Sequence, residues 1–176
     1  SDLRSHGITR DQNRFKRKAP GPWAYEQQTL GFNYRMTDFQ AALGISQLKR
    51  LEKIVTKRNK QYEIYEDLLS DLPVNLLKIM KNVRSSVHLG IIRLEDSNAK
   101  SHNEVFRFLR ASGIGVQLHY SPVHLQPYFR DRGFNDGDLP ESEAYAKSSF
   151  SLPLYPELTI DEIRYVVKMI TKALDV

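Results

Sequence analysis

Residues 37–72 constrain the fold most, because they carry one long helical pattern. Thr37 opens the pattern with a T-x-x-Q capping box that closes at Gln40. Apolar side chains then recur at steps of three or four, with one step of two turns and with lysines and arginines mostly between them: Leu48, Leu51, Val55, Tyr62, Tyr65, Leu69 and Leu72. Some 35 residues at about 1.5 Å each would span about 50 Å, which exceeds the width of a small domain. We therefore expect either a break near Gly44 or a helix that bridges two domains.

Residues 1–36 precede this helix and are typical of an extended arm. Glycines and prolines interrupt the segment, aromatic residues are interleaved with them, and residues 7–36 show no periodicity. A loop of this length is uncommon within a compact domain. We therefore expect the aromatic side chains of the arm to lie on another domain or on a second subunit.

Positive charge is concentrated in the same arm. The chain has 26 Lys and Arg against 21 Asp and Glu, a net charge of +5, and residues 1–35 supply +4 of it as seven basic minus three acidic side chains. Such a patch suits nucleic acid, an acidic partner or a phosphorylated small molecule, and a solvated loop with surplus lysines is an equal alternative.

Composition excludes several classes of protein. The chain contains no cysteine, which excludes disulfide scaffolds, thiolate zinc sites and cysteine nucleophiles. No apolar run approaches the roughly 18 residues of a membrane span. A reducing, cytoplasmic location is compatible with both observations.

The remaining residues, 73–176, alternate between strand and helix patterns. The predicted strands are 87–94, 114–120 and 150–154. The predicted helices are 101–111, 126–132, 140–148 and a last helix that Thr159 caps. This order predicts an α/β fold in which helices cover a short sheet. The chain then consists of an arm (1–36), a long helical segment (37–72) and an α/β region (73–176).

Two short clusters are candidates for chemistry, since no metal-ligand spacing, Walker loop, nucleophile elbow or dinucleotide fingerprint occurs. His119-Tyr120 ends a predicted strand, as the wall of a pocket in an α/β sheet would, although ordinary surface histidines are favoured about two to one on this evidence alone. Asn33 and Arg35 stand just before the capped helix and could bind an anion. An arginine that pairs with a carboxylate is an equal alternative there.

Several motifs recur in one order over nearly the whole chain. They are Arg4-Ser5-His6-Gly7, Gly31-Phe32-Asn33-Tyr34-Arg35-Met36-Thr37, Gln40-Ala41-Ala42-Leu43-Gly44, Ser86-Val87-His88-Leu89, Gly115-Val116-Gln117-Leu118-His119-Tyr120-Ser121-Pro122 and Ser151-Leu152-Pro153-Leu154. Together they resemble the DegT/DnrJ/EryC1/StrS family of PLP-dependent sugar aminotransferases. The resemblance implies the C-terminal part of a fold type I (aspartate aminotransferase-like) homodimer, with an arm from the large domain and dimer interface, a linking helix and a small C-terminal domain.

The resemblance also implies an activity. Members of the family transfer an amino group, usually from glutamate, to a keto carbon of a nucleotide-linked sugar in surface-polysaccharide or amino-sugar biosynthesis. Their Schiff-base lysine lies upstream of the Arg4–Gly7 motif, so we expect the 176 residues alone to be inactive and to hold no PLP. The nucleotide, the keto position, the amino donor, a dehydratase variant, and the choice between a natural split and a truncated chain all stay open.

Site residues follow from the same resemblance. Asn33 matches the asparagine that reaches across the dimer to the PLP phosphate, and Arg35 matches the arginine beside it. On the substrate side, the matching positions are His119, Tyr120, His88 and His124, while His6 lies beside the dimer interface. Two other functions stay open, namely a non-catalytic subunit that completes another chain's site and a basic nucleic-acid-binding module.

Overall fold

The computed structural model describes residues 2–95 and 101–175. Two compact units make up the chain, Ser1–Arg50 and Leu51–Val176. The boundary falls inside the segment 37–72, which the family resemblance implies to be a linking helix. None of the described helices is both long and apolar enough to cross a membrane.

The first unit is an arm with a small ribbon and one helix. Strands β1 (Ile8–Thr9) and β2 (Glu26–Gln27) pair antiparallel, and a 3-10 turn (Gln12–Arg14) lies between them. The Glu26 carboxylate accepts the backbone N–H groups of Lys16 (2.8 Å) and Arg17 (3.0 Å). The first of these hydrogen bonds does most to hold the pKa of Glu26 below its ordinary value.

Helix α1 (Asp38–Leu48) ends the first unit, and the predicted capping box is confirmed. The Thr37 side chain accepts the Gln40 N–H, and the Gln40 side chain accepts the Thr37 N–H. No residue of α1 is buried, and Phe39 is 82% exposed. Within this unit, the apolar side of the helix therefore has no cover.

The helical pattern over 37–72 forms two helices, because a turn at residues 49–50 separates α1 from α2 (Leu51–Leu69). The segment is thus interrupted, as one of the two expected alternatives had it, but at residues 49–50 and not at Gly44. Gly44 lies inside α1, where a glycine costs about 1 kcal/mol but does not by itself end a helix. Along the predicted apolar face, Tyr65 is fully buried whereas Leu48 is 67% exposed.

The second unit contains one antiparallel sheet in the order β3-β4-β5. Its strands are β3 (Val74–Leu76), β4 (Gly90–Leu94) and β5 (Ser149–Leu152). Leu94 lies opposite Val74, and Ile92 lies opposite Phe150. The predicted strands 87–94 and 150–154 are thus confirmed as β4 and β5, with shifted ends. Strand β3 was not predicted, because three residues are too few to show an alternation of apolar and polar side chains.

The predicted strand 114–120 is wrong. The segment contributes only an isolated bridge between Gln117 and Ser151 to the structure. Its apolar and polar residues do alternate, and Val116 is buried. Alternation indicates which side chains are buried, but it does not show whether the backbone forms a ladder of hydrogen bonds with another strand.

Four further helices belong to this unit: α3 (His102–Ala111), α4 (Pro127–Arg130), α5 (Pro140–Ser148) and α6 (Ile160–Leu174). Helix α5 contacts strands β4 and β5 of the sheet, whereas α4 has no buried residue. Capping boxes at Ser101 and Thr159 begin α3 and α6. Helix α6 packs against both α2 and α3. Its predicted inward residues are all buried: Ile163, Val166, Val167 and Ile170.

Candidate functional site

The two arm motifs that carry the family resemblance lie side by side. Ser5 and Asn33 form an antiparallel bridge, although 28 positions separate them in the sequence. The His6 N–H donates to the Phe32 carbonyl at 2.9 Å, and the Tyr34 N–H donates to the Arg4 carbonyl at 2.9 Å. The backbone therefore brings the first motif against the segment that holds Asn33.

Close backbone approach explains the two glycines of these motifs. Gly7 adopts φ +69°, and a Cβ built on it would lie 1.7 Å from the Thr29 carbonyl oxygen. A Cβ on Gly31 would lie 2.3 Å from the Gly7 nitrogen. His6 also has a positive φ of 60°, a conformation that non-glycine residues hold only where their surroundings enforce it.

A basic cavity of about 440 Å³ opens at this crossing. Its lining contains two arginines and a histidine, together with one tyrosine and two small or apolar residues: Arg10, Arg35, His6, Tyr25, Ser5 and Ile8. No carboxylate lines the cavity, and within residues 2–95 and 101–175 neither arginine forms a salt bridge. Two unneutralised guanidinium groups at one cavity are suited to an anion.

Arg35 contacts two residues of the arm motifs, Asn33 and His6. Its Nε donates to Asn33 Oδ1 at 3.1 Å, and its Nη2 lies 3.5 Å from His6 Nε2. This contact uses the oxygen of the Asn33 amide, so the amide Nδ2 is left as a donor. The arrangement differs from the alternative in which Arg35 pairs with a carboxylate.

In the second unit, His119 is held from three sides. Its Nδ1 lies 2.7 Å from Ser151 Oγ, its carbonyl accepts the Tyr145 hydroxyl at 3.5 Å, and its ring meets the Tyr120 ring edge-on at 4.8 Å between centroids. His119 is half-buried and Tyr120 is 73% exposed. These two candidates thus stand at the surface of the unit on a supported loop.

His124 differs from the other candidates because it is buried, at 4% exposure. Its Nε2 donates to Glu143 Oε1 at 3.0 Å, and the same oxygen accepts the Gly137 N–H at 2.8 Å. The hydrogen bond from His124 is the main cause that holds the pKa of Glu143 below its ordinary value. The structure therefore gives His124 a role inside the fold and not on a face that is open to substrate.

His88 is exposed, and the loop that carries it is held by an arginine that the sequence did not single out. Arg58 Nη1 donates to three carbonyls, those of Val87 (3.3 Å), His88 (2.9 Å) and Leu154 (3.0 Å). The helical pattern shows Arg58 only as one of the basic residues that lie between the apolar positions of the segment 37–72. The pattern carries no signal of carbonyls that lie so far along the chain.

The sequence also left Arg10, Glu143 and Ser151 without a role. Arg10 lies in a loop after β1, and no periodicity marks a loop residue as part of a cavity. Glu143 occupies an ordinary first-turn position of α5. Ser151 belongs to a recognised motif, which is a signal of importance but not of its contact with His119. Within the described ranges, no group of three or more His, Asp or Glu could hold a metal ion.

Comparison with known proteins identifies the family. Residues 1–171 match the DegT/DnrJ/EryC1/StrS aminotransferase family. The chain belongs to this family. The match includes both arm motifs and the loops of His88 and His119, so the expected resemblance is confirmed.

Individual relatives within the DegT/DnrJ/EryC1/StrS family agree with this membership. The chain is 30% identical over 173 residues to the spore coat polysaccharide biosynthesis protein SpsC of Bacillus subtilis, covering 96% of this chain and 44% of that protein. It is 30% identical over 165 residues to the UDP-4-amino-4,6-dideoxy-N-acetyl-beta-L-altrosamine transaminase of Campylobacter jejuni, covering 93% and 41%. The chain thus spans less than half the length of these relatives.

A solved family structure supports the α/β fold. The putative sugar aminotransferase Spr1654 of Streptococcus pneumoniae, in its PMP form, superposes with a TM-score of 0.88 at 27% identity. The superposition covers 99% of this chain and 43% of that one.

Proposed function

We propose that this chain is the C-terminal part of a PLP-dependent nucleotide-sugar aminotransferase. The full-length enzyme transfers an amino group from glutamate to a keto-sugar nucleotide in surface-polysaccharide or amino-sugar biosynthesis. The observation that carries the proposal is the pairing of the two arm motifs, which brings Asn33 and Arg35 to a basic cavity in a chain of this family.

The donors at this cavity fit the phosphate of PLP. A phosphate needs hydrogen-bond donors and positive charge, and the Arg35 guanidinium and the Nδ2 of Asn33 supply both. Bound PLP supplies the electron sink on which amino transfer depends. In our proposal, Asn33 and Arg35 hold its phosphate across the interface of a homodimer.

Arg10 and the histidines then serve the other substrate. A nucleotide-linked sugar carries a diphosphate, and Arg10 is the second cation of the cavity that Arg35 lines. On the second unit, His119, Tyr120 and His88 are accessible and can donate hydrogen bonds to a sugar nucleotide. From inside the fold, His124 supports the loop that follows His119-Tyr120.

The proposal includes three further points. The second unit is the small domain of a fold type I enzyme, and the full-length protein works in the cytoplasm. No lysine of these 176 residues matches the family's Schiff-base lysine. A polypeptide of these residues alone is therefore expected to be inactive and to need the first half of the enzyme, either in the same chain or as a partner.

The direct test is amino transfer by the full-length protein. Protein purified with PLP is incubated with glutamate and with UDP- or dTDP-linked keto-deoxysugars, and the products are analysed by mass spectrometry. An amino-sugar nucleotide formed together with 2-oxoglutarate supports the proposal. A protein that retains PLP but aminates none of these sugars contradicts it, and co-purification of a lysine-bearing partner chain would favour the non-catalytic subunit.

A further inference from the structure

The contact between Ser151 and His119 is built into the fold. Ser151 lies in β5 and is 4% exposed. Its N–H donates to the Gln117 carbonyl at 2.8 Å, and its carbonyl accepts the Gln117 N–H at 3.4 Å. This two-way bridge sets the distance between the strand and the segment that carries His119, so the 2.7 Å contact of Ser151 Oγ with His119 Nδ1 does not depend on flexible side chains alone.

The hydrogens available on the Ser151 hydroxyl and the His119 ring decide which of the two groups is the donor in this hydrogen bond. A serine hydroxyl can donate one hydrogen bond and accept others, whereas a neutral imidazole has one nitrogen that donates and one that accepts. Over residues 2–95 and 101–175, His119 Nδ1 is the one partner of Ser151 Oγ. If Nδ1 donated, the buried hydroxyl hydrogen would have no acceptor, which is costly. The hydroxyl therefore donates, Nδ1 accepts, and the hydrogen of the neutral ring stays on Nε2.

The Nε2 atom of His119 is then the available group. Within the described parts of the chain it has no hydrogen-bond partner, and the ring is half-buried beside the exposed Tyr120. The Tyr145 hydroxyl holds the His119 carbonyl, so the backbone and the ring are both restrained. A restrained ring with one free N–H can act as a directional donor to an oxygen acceptor outside this unit.

We propose that Ser151 is a positioning residue that sets the tautomer of His119, so that Nε2–H donates to an oxygen atom of the sugar nucleotide. The identity of the acceptor rests on the proposed function, whereas the tautomer does not. The donor role suits a sugar nucleotide because its hydroxyl, carbonyl and phosphate oxygens all accept hydrogen bonds, while the alternative tautomer would present a lone pair that can bind only donors.

The imidazole nitrogens of His119 can be observed directly. Full-length protein labelled with ¹⁵N-histidine is studied by long-range ¹H–¹⁵N correlation at mildly alkaline pH, and His119→Gln assigns the signals. The expected wild-type spectrum shows an unprotonated Nδ1 and a protonated Nε2. A wild-type ring with a protonated Nδ1 would overturn the inference.

Two matched serine variants in β5 distinguish an effect of Ser151 on the His119 tautomer from a general effect on the stability of the strand. In Ser151→Ala we expect His119 to populate both tautomers. Ser149→Ala is the control, because Ser149 is equally buried in the same strand but its Oγ donates to the Tyr145 carbonyl. The Ser149→Ala spectrum should keep the wild-type pattern at His119, and an unchanged Ser151→Ala spectrum would contradict the proposal.

Kinetics of the full-length enzyme test the substrate contact. Ser151→Ala should raise the KM for the keto-sugar nucleotide about fivefold, the size expected for one weakened hydrogen bond, with PLP content unchanged. Ser151→Thr retains the hydroxyl and should restore the KM. An unchanged KM in Ser151→Ala would remove the sugar nucleotide as the acceptor. A wild-type enzyme without amino transfer would instead contradict the proposed function and leave the tautomer to be decided by the spectra.

Discussion

His124 and Glu143 form a buried hydrogen-bonded pair, with 3.0 Å between Nε2 and Oε1 and side chains that are 4% and 9% exposed. The same Glu143 oxygen accepts the Gly137 N–H at 2.8 Å. One carboxylate oxygen thus joins the loop after His119-Tyr120, the loop before α5 and α5 itself. Since a carboxylate inside the fold is stable only while its donors stay in place, this pair links the order of the candidate substrate loop to the protonation of Glu143.

Glu143→Gln should change the acid sensitivity of the fold. The pKa of Glu143 is lower in the folded state, so its contribution to stability is complete above the ordinary value of 4.5 and is lost as the pH falls through the lowered folded-state value. We expect the variant to be less stable than wild type at neutral pH and to lose less stability on acidification. Denaturant unfolding of the full-length protein across this range measures both, and Glu141→Gln, an exposed position of the same helix, should follow wild type. Parallel curves for wild type and Glu143→Gln would refute the link.

Arg58→Met should loosen the loop of His88. The substitution leaves the carbonyls of Val87, His88 and Leu154 without their shared donor, and stranding partly buried acceptors costs about 1–3 kcal/mol. Thermal unfolding and amide exchange of the full-length protein should show a loss of this size and faster exchange near Val87. Lys57→Met, an exposed neighbour in α2, is expected to have little effect. Equal effects of the two variants would show that the three contacts contribute nothing specific.

Ile170→Ala should destabilise the core of the second unit. Ile170 has no exposed surface in α6, and truncation of a buried isoleucine costs about 2–5 kcal/mol. Ile160 begins the same helix and is 51% exposed, so Ile160→Ala is the matched control with a small expected effect. Amide exchange across α6 in the full-length protein reports the local change, and similar protection in both variants would contradict the packing described here.

Asn33→Ala should weaken the retention of PLP in the full-length enzyme. In our proposal, the amide both orients Arg35 and donates to the cofactor phosphate, so its removal should cost about 1–3 kcal/mol of binding free energy. Absorbance of the bound cofactor after dialysis measures this loss. Asn13→Ala, at an exposed position of the same arm, should retain PLP as wild type does. Unchanged retention in Asn33→Ala would remove this residue from the site.

Arg10→Gln should raise the KM for the keto-sugar nucleotide by about tenfold or more, since a hydrogen bond to a charged group contributes about 1.5–3 kcal/mol. The PLP content and kcat should change little, because in our proposal Arg10 binds the diphosphate equally in the ground state and in the transition state. Arg17→Gln removes the same charge from an arm residue that does not line the basic cavity and is the control. A matching rise in KM for both variants would indicate general electrostatic attraction and not a site at Arg10.

Helix starts were predictable from the sequence because their determinants are local. The capping box at Thr37 joins residues three positions apart, and so does the box at Thr159. The buried face of α6 follows in the same way from the 3.6-residue period. The family motifs also identified the loops of Asn33 and His119 in advance, since short ordered motifs need no knowledge of the fold.

Strand pairing was less predictable, since it depends on a partner elsewhere in the chain. Residues 114–120 alternate as a strand does, yet in the described part of the chain only Gln117 forms a bridge, with Ser151. Residues 74–76 carry no readable period, yet they pair with β4. An alternating pattern reports burial, whereas a strand also requires a free edge beside it.

The sequence alone was enough to predict the family, the helices with their caps and most of the candidate site residues. It also showed the excess of positive charge in the arm. The contacts that position those candidate residues come from the folded chain. His119 meets Ser151 across 32 positions, and Arg58 meets the Leu154 carbonyl across 96. Such contacts depend on how the strand, loops and helices pack in three dimensions, and a linear pattern of residue types does not encode distances between segments so far apart.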